Sequence, residues 1–139
     1  MGYRFIDHTA DVAVDLSGAT PGELFASAAE ALMDTITDRT LVRPVQSDEV
    51  ALEAASPEDL LVDWLNELLY RFEVRDLLVA NAEVTVTMEG PCRLAATVRG
   101  EPFDPGRHPS RALVKGATYH GLRVEQQDGE WRARIVFDI

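Results

Sequence analysis

The chain has 139 residues, 46% of them hydrophobic, and sets 24 acids against 13 Lys and Arg for a formal charge of −11. A chain of that length fits one domain that buries its own core, and its single cysteine, Cys92, excludes a disulfide framework or a multi-cysteine zinc site and suits a reducing, cytoplasmic compartment. With no basic cluster to release phosphate counterions, tight binding of RNA or DNA is excluded as well; the acidity fits cation binding, a basic protein partner or plain solubility.

Met1-Gly2-Tyr3-Arg4-Phe5 has no apolar core or cleavage site of a signal peptide, and no apolar run approaches the ~20 residues of a membrane span. Residues 2–7 and 10–16 read as two strands, the second alternating through Val12, Val14 and Leu16. Ser17-Gly18-Ala19 makes a turn. Thr20-Pro21-Gly22-Glu23 is a helix start, with Thr as cap, Pro at the first helical position and Glu three residues after the cap. Leu24, Phe25, Ala28, Leu32 and Ile36 follow at helical spacing and predict a helix over 21–35.

Residues 37–47 read as a loop, and Glu49 to Ala54 as a strand through Val50 and Leu52. Ser56-Pro57-Glu58-Asp59 repeats the helix start. Leu60, Leu61, Trp64, Leu65, Leu68, Leu69 and Phe72 then form a wide apolar stripe over 57–73, the main core helix. Glu58, Asp63, Asn66, Glu67 and Arg71 on its other side read as a solvated face. Leu77 to Val79 reads as an edge segment, and 82–88 with 92–98 as an antiparallel hairpin around Glu89-Gly90-Pro91.

Gly100 to Pro109 reads as a charged loop. Residues 110–120 fit either a short helix, through Leu113, Val114 and Ala117, or a strand, through Thr118-Tyr119. The chain closes in a hairpin: Leu122 and Val124 lead to Asp128-Gly129, a pair suited to a primed turn, and Trp131, Ala133, Ile135 and Phe137 alternate back. The expected architecture is α+β, a two-layer single domain over 1–139, mostly antiparallel, with two long helices packed on one face.

Two constellations carry chemistry. Asp7-His8-Thr9-Ala10-Asp11 puts two carboxylates and an imidazole within five residues, and Asp138 interrupts the apolar run at the other end of the chain. If the two ends meet, their oxygen donors suit a hard divalent cation, Mg²⁺, Mn²⁺ or Ca²⁺, with the terminal carboxylate of Ile139 as a further ligand. On spacing alone the plainer reading is favoured: Asp7 and Asp11 as turn formers bonded to their own backbone. Lys115-Gly116-Ala117-Thr118-Tyr119-His120 gathers groups able to hold a phosphate or move protons, or equally a half-buried Tyr, a turn His and a solvated Lys. No nucleotide-binding fingerprint is present, and Cys92 reads as a buried structural thiol.

Four blocks taken together resemble the archease family: Asp7-His8-Thr9-Ala10-Asp11, the run from Leu60 to Tyr70, Val114 to His120, and Phe137-Asp138-Ile139. Order, spacing and total length agree across the whole chain. The resemblance implies a non-enzymatic accessory protein of an RtcB-type RNA-splicing ligase, which joins RNA ends in tRNA splicing and RNA repair. Such a helper promotes GTP-dependent guanylylation of the ligase's histidine and multiple turnover. The resemblance assigns the metal site, of calcium or another divalent ion, to Asp11, Asp138 and Ile139. Asp7, a weaker match, and His8 lie beside it, and Lys115 and His120 become candidates for the same face. Position 116 is Gly where relatives often have Ala. The rival readings are a metal-dependent phosphatase or phosphodiesterase using Asp11 and Asp138 with His8 or His120, and a general chaperone-like helper of RNA-processing enzymes.

Overall fold

Two capped helices organise the core. The computed structural model describes residues 2–6 and 11–139, so Asp7 and His8 of the first constellation lie outside the described residues. Helix α1 (Pro21–Ile36) starts where its signature predicts, Thr20 Oγ1 accepting the Glu23 N–H at 3.1 Å while the Glu23 carboxylate accepts the Ala19 N–H at 2.8 Å. Helix α2 (Pro57–Arg75) starts the same way, with Ser56 Oγ accepting the Asp59 N–H at 3.1 Å. Each bond satisfies a donor that a helix start otherwise leaves unpaired. Helix α2 stops at Asp76, whose φ of 57° turns the backbone left-handed.

Among the described residues, eight strands follow from the period-2 segments: β1 (Gly2–Ile6), β2 (Asp11–Gly18), β3 (Gln46–Ala54), β4 (Leu77–Thr87), β5 (Cys92–Pro102), β6 (Gly116–Thr118), β7 (Val124–Gln127) and β8 (Glu130–Asp138). Their pairings are antiparallel. They form two sheets, one of five strands in the order β1-β2-β8-β6 with β7 also on β8, the other in the order β3-β5-β4. The α+β class, the antiparallel pairing and the two long helices agree with the sequence expectation. The division into two sheets is a finding of the structure.

Both helices touch strands of both sheets, which makes the buried side chains one continuous core. Trp64, fully buried, joins the helices by donating its Nε1–H to the Phe25 carbonyl at 2.9 Å. Phe25, Phe137, Leu65 and Ile135 pack in the same cluster, and side chains of this kind contribute roughly 1.5–3 kcal/mol each on full burial. Cys92 is a buried thiol, as expected, and burial, followed by the nearby Glu58 charge, pushes its pKa up.

Two local expectations change, and one reading left open is resolved. Leu77–Val79 and the strand after it are one strand, β4, with an irregularity between Val79 and Asn81. Gly100 of β5 faces that irregularity, and a Cβ there would fall 1.7 Å from the Leu78 carbonyl oxygen, so the backbones meet at a distance only glycine permits. Residues 110–120 contain no helix: the chain is irregular to Lys115 and then forms β6. Val114 is buried while Leu113 beside it points out, the side-to-side alternation of an extended chain. The face of α2 read as solvated is engaged, since Glu58 and Asn66 accept backbone N–H groups from Val124 and Ala117 at 2.7 and 3.0 Å.

The terminal hairpin forms as expected. Asp128 and Gly129 have φ of 55° and 79°, both positive as a primed turn requires. That turn sets the register of β8 and so decides where Asp138 falls.

Candidate functional site

Strands β2 and β8 run side by side for their whole length, and their register pairs Asp11 directly with Asp138. Because side chains alternate across a sheet, Val12, Val14 and Leu16 face the core with Phe137, Ile135 and Ala133, while Asp11 and Asp15 share the outer face with Asp138 and Arg134. The two outward pairs differ. Asp15 is clamped by Arg134 Nε and Nη2 at 2.7 and 3.1 Å, and the Arg134 bonds hold its carboxyl below the ordinary range. Asp11 and Asp138 have no ion pair among the described residues. Like charges directly opposite on a sheet are destabilising, a cost that a cation shared between them would relieve.

Strand β6 completes this end of the sheet. Gly116 pairs with Asp138 on the side away from Asp11, and the Lys115 N–H donates to the Asp138 carbonyl at 2.7 Å. Lys115, the chain's single lysine, is exposed and has no carboxylate within 4.0 Å among the described residues, whereas every arginine except Arg123 has one. Ile139 follows Asp138 and is exposed at the same end. The structure therefore brings Asp11, Asp138, Ile139 and Lys115 together. It does not bring His120 to them: β6 ends at Thr118, and His120 lies in the turn beyond, its N–H reaching Thr118 Oγ1 at 3.4 Å.

The chemistry of these donors fits a hard divalent ion, which takes carboxylate and carbonyl oxygens with water completing the shell. Among the described residues no group of three or more His, Cys, Asp or Glu side chains converges. Of the described residues, Asp11 and Asp138 are the carboxylates at this end that could contribute to such a shell.

Several polar residues hold this end in shape in roles that the sequence did not indicate. Asn66 Oδ1 receives the Ala117 N–H, tying β6 to α2. Tyr119 follows β6 beside Asp59 and Asp63 of α2, and burial together with those two acids pushes its hydroxyl up. The loop leading to β6 is anchored by a buried carboxylate, Glu101, which accepts the Arg43 N–H at 2.9 Å, Arg107 Nη1 at 2.9 Å and His108 Nε2 at 2.9 Å. Burial would raise the Glu101 pKa, but these donors win and lower it to about 2. His108, also buried, accepts the Asp104 N–H on Nδ1 at 2.9 Å, so its proton sits on Nε2 and points at Glu101. Beyond this loop the Arg111 N–H donates to the Ile36 carbonyl at 2.9 Å, fixing the approach to Lys115. An asparagine in mid-helix, a poor helix former, was the available signal for Asn66.

The Archease protein family profile matches residues 3–139. A Methanopyrus kandleri protein archease is 40% identical over the full length of both chains, and one from Methanosarcina mazei is 37% identical over 99% of this chain and 95% of its own. Among solved structures, that of Methanobacterium thermoautotrophicum protein 1598 superposes with a TM-score of 0.82 at 29% identity, covering 99% of each chain. A Thermotoga maritima protein, described as an archease and possible chaperone, superposes at 0.64 over 96% of this chain and 94% of its own, and at 20% identity shows the shared fold. A profile match over nearly the whole sequence, relatives of equal length and the same two-sheet fold lead to one conclusion: the chain belongs to the archease family.

Proposed function

We propose that this protein is the accessory factor of an RtcB-type, GTP-dependent RNA-splicing ligase, and that it works through a divalent metal site formed by Asp11, Asp138 and Ile139. The observation that carries the reading is the cross-strand pairing of Asp11 with Asp138, with Lys115 bonded through its backbone to the same aspartate. These are the residues that the archease resemblance singles out, drawn from three separate blocks of sequence. A bound divalent ion would supply concentrated positive charge for oxygen ligands of the ligase or its nucleotide. The chain's own residues would do the rest: the two aspartates and Ile139 would hold the ion, Lys115 would add a cation beside it, and the β2–β8–β6 ladder fixes the backbone spacing.

The charge of −11 suits such a role. An acidic protein does not compete for RNA, but it is steered toward a basic, RNA-binding enzyme. The test is guanylylation of the purified ligase by labelled GTP with and without this protein. The reading expects a large rise in rate and repeated turnover; equal rates in the two arms would end it.

A second reading, a general chaperone acting through bulk negative charge, is supported by the description of the Thermotoga maritima relative and by the same net charge. The two part at Asp11→Glu and Asp138→Glu. Bulk charge is unchanged in those variants, whereas a site with defined metal–oxygen distances loses activity.

A further inference from the structure

Lone apolar side chains on a surface are ordinary, but a group of them rimmed by charge marks an interface. Tyr70, Val74, Leu113 and Ile139 are exposed by 59%, 61%, 76% and 41% respectively. Their places in the fold converge. The Ala117 N–H meets Asn66 of α2 at 3.0 Å, and from that crossing the chain runs toward the N-terminus of α2, passing Tyr119 beside Asp59 and then Val124 at Glu58. The residues before Gly116 therefore lie toward the later turns of α2, where Tyr70 and Val74 stand one and two turns past Asn66. Ile139 follows Asp138, beside Lys115, whose N–H bonds to the Asp138 carbonyl.

We propose that Tyr70, Leu113 and Ile139 form the apolar centre of the surface on which this protein docks the ligase, with Asp11, Asp138 and Asp63 as its acidic rim. The inference rests on the function proposed above and adds the contact surface to it. The occupant is a protein with a basic, nucleic-acid-binding mouth, because the rim is acidic and the whole chain repels polyanions. Tyrosine is among the side chains that dominate interface energy, and Tyr70 presents its exposed ring from a helix, while Leu113 protrudes from extended chain. Docking there would bring the metal site to the ligase in the same step.

The experiment measures two quantities with the full chain and purified ligase: the Kd of the complex, and the guanylylation rate at saturating accessory protein. Tyr70→Ser and Leu113→Ser should each weaken binding by about tenfold or more, with the native rate recovered at saturation. Val45→Ser, an equally exposed apolar residue entering the three-stranded sheet, should change neither. Circular dichroism checks that the variants fold, which exposed positions favour. Native affinity in both variants, with stimulation intact, overturns this surface and leaves the ligase reading standing. If the two variants instead break a dimer seen by sedimentation while ligase affinity holds, the face belongs to a second copy and the proposal is overturned. A native chain that neither binds nor stimulates the ligase overturns both readings.

Discussion

Asn66 Oδ1 accepts the backbone N–H of Ala117 at 3.0 Å, so a helix side chain closes the ladder edge of a strand that has only β8 on its other side. Strand β6 is three residues long and is held between these partners. Asn66→Ala removes one of them and should cost about 1 kcal/mol, the net worth of a typical hydrogen bond. The sharper readout is amide exchange: Ala117 should lose protection selectively, while the amides of α2 keep theirs. Unchanged protection at Ala117 would mean that the helix does not hold the strand that carries Lys115 to the site.

The Glu101 cluster makes a pH prediction. Its carboxyl lies at about 2 in the fold against an ordinary 4.5. A depressed folded pKa stabilises above the unfolded value and is lost as pH falls through the folded one, so the contribution should be full above about pH 5 and gone near pH 2. The shift corresponds to about 3 kcal/mol at neutral pH. Glu101→Gln should therefore destabilise at pH 7 by a similar amount and flatten the acid limb of stability between pH 5 and 2. Denaturant titrations at several pH values read this directly; parallel native and variant curves would contradict it.

Two glycines should respond oppositely to alanine. At Gly116 a new Cβ would meet only Asn66 Oδ1 at 3.5 Å, ordinary contact, whereas at Gly100 it would sit 1.7 Å from backbone oxygen. Gly116→Ala should stabilise by roughly 0.5 kcal/mol through the unfolded chain and leave ligase stimulation intact. Gly100→Ala should cost several kcal/mol, on the order of 3 or more, as overpacking against fixed backbone does. Melting temperatures that move together in the two variants would refute the assignment.

Local structure was readable because it is written in neighbouring residues. Thr20 and Ser56 announce their helices through side-chain oxygens three residues from the N–H they accept, and Asp128-Gly129 announces its turn through the positive φ both must adopt. The pairing of Asp11 with Asp138 was legible as a guess that the chain ends meet, and the register bears that out. What stayed hidden was non-local. Leu113, Val114 and Ala117 sit at helical spacing, yet β8 offers an open edge and draws the segment into extended chain. Asn66 and Glu58 look like a wet helix face until β6 and β7 arrive to donate to them. Glu101 and His108 lie in a stretch whose composition reads as loop, and Arg43, arriving from 58 residues away, joins Arg107 and His108 in making burial of that carboxylate affordable in free energy.

The central claim is that Asp11 and Asp138 act as a pair, holding a divalent ion that the ligase needs for efficient guanylylation. The most direct measurement is the guanylylation rate of the ligase with Asp11→Ala, Asp138→Ala and Asp138→Asn, each first shown to melt at or above the native temperature, as relief of a like-charge pair predicts. The account predicts that all three folded variants leave the ligase at its unassisted rate. A folded Asp11→Ala/Asp138→Ala double variant that stimulates as well as the native chain would contradict it.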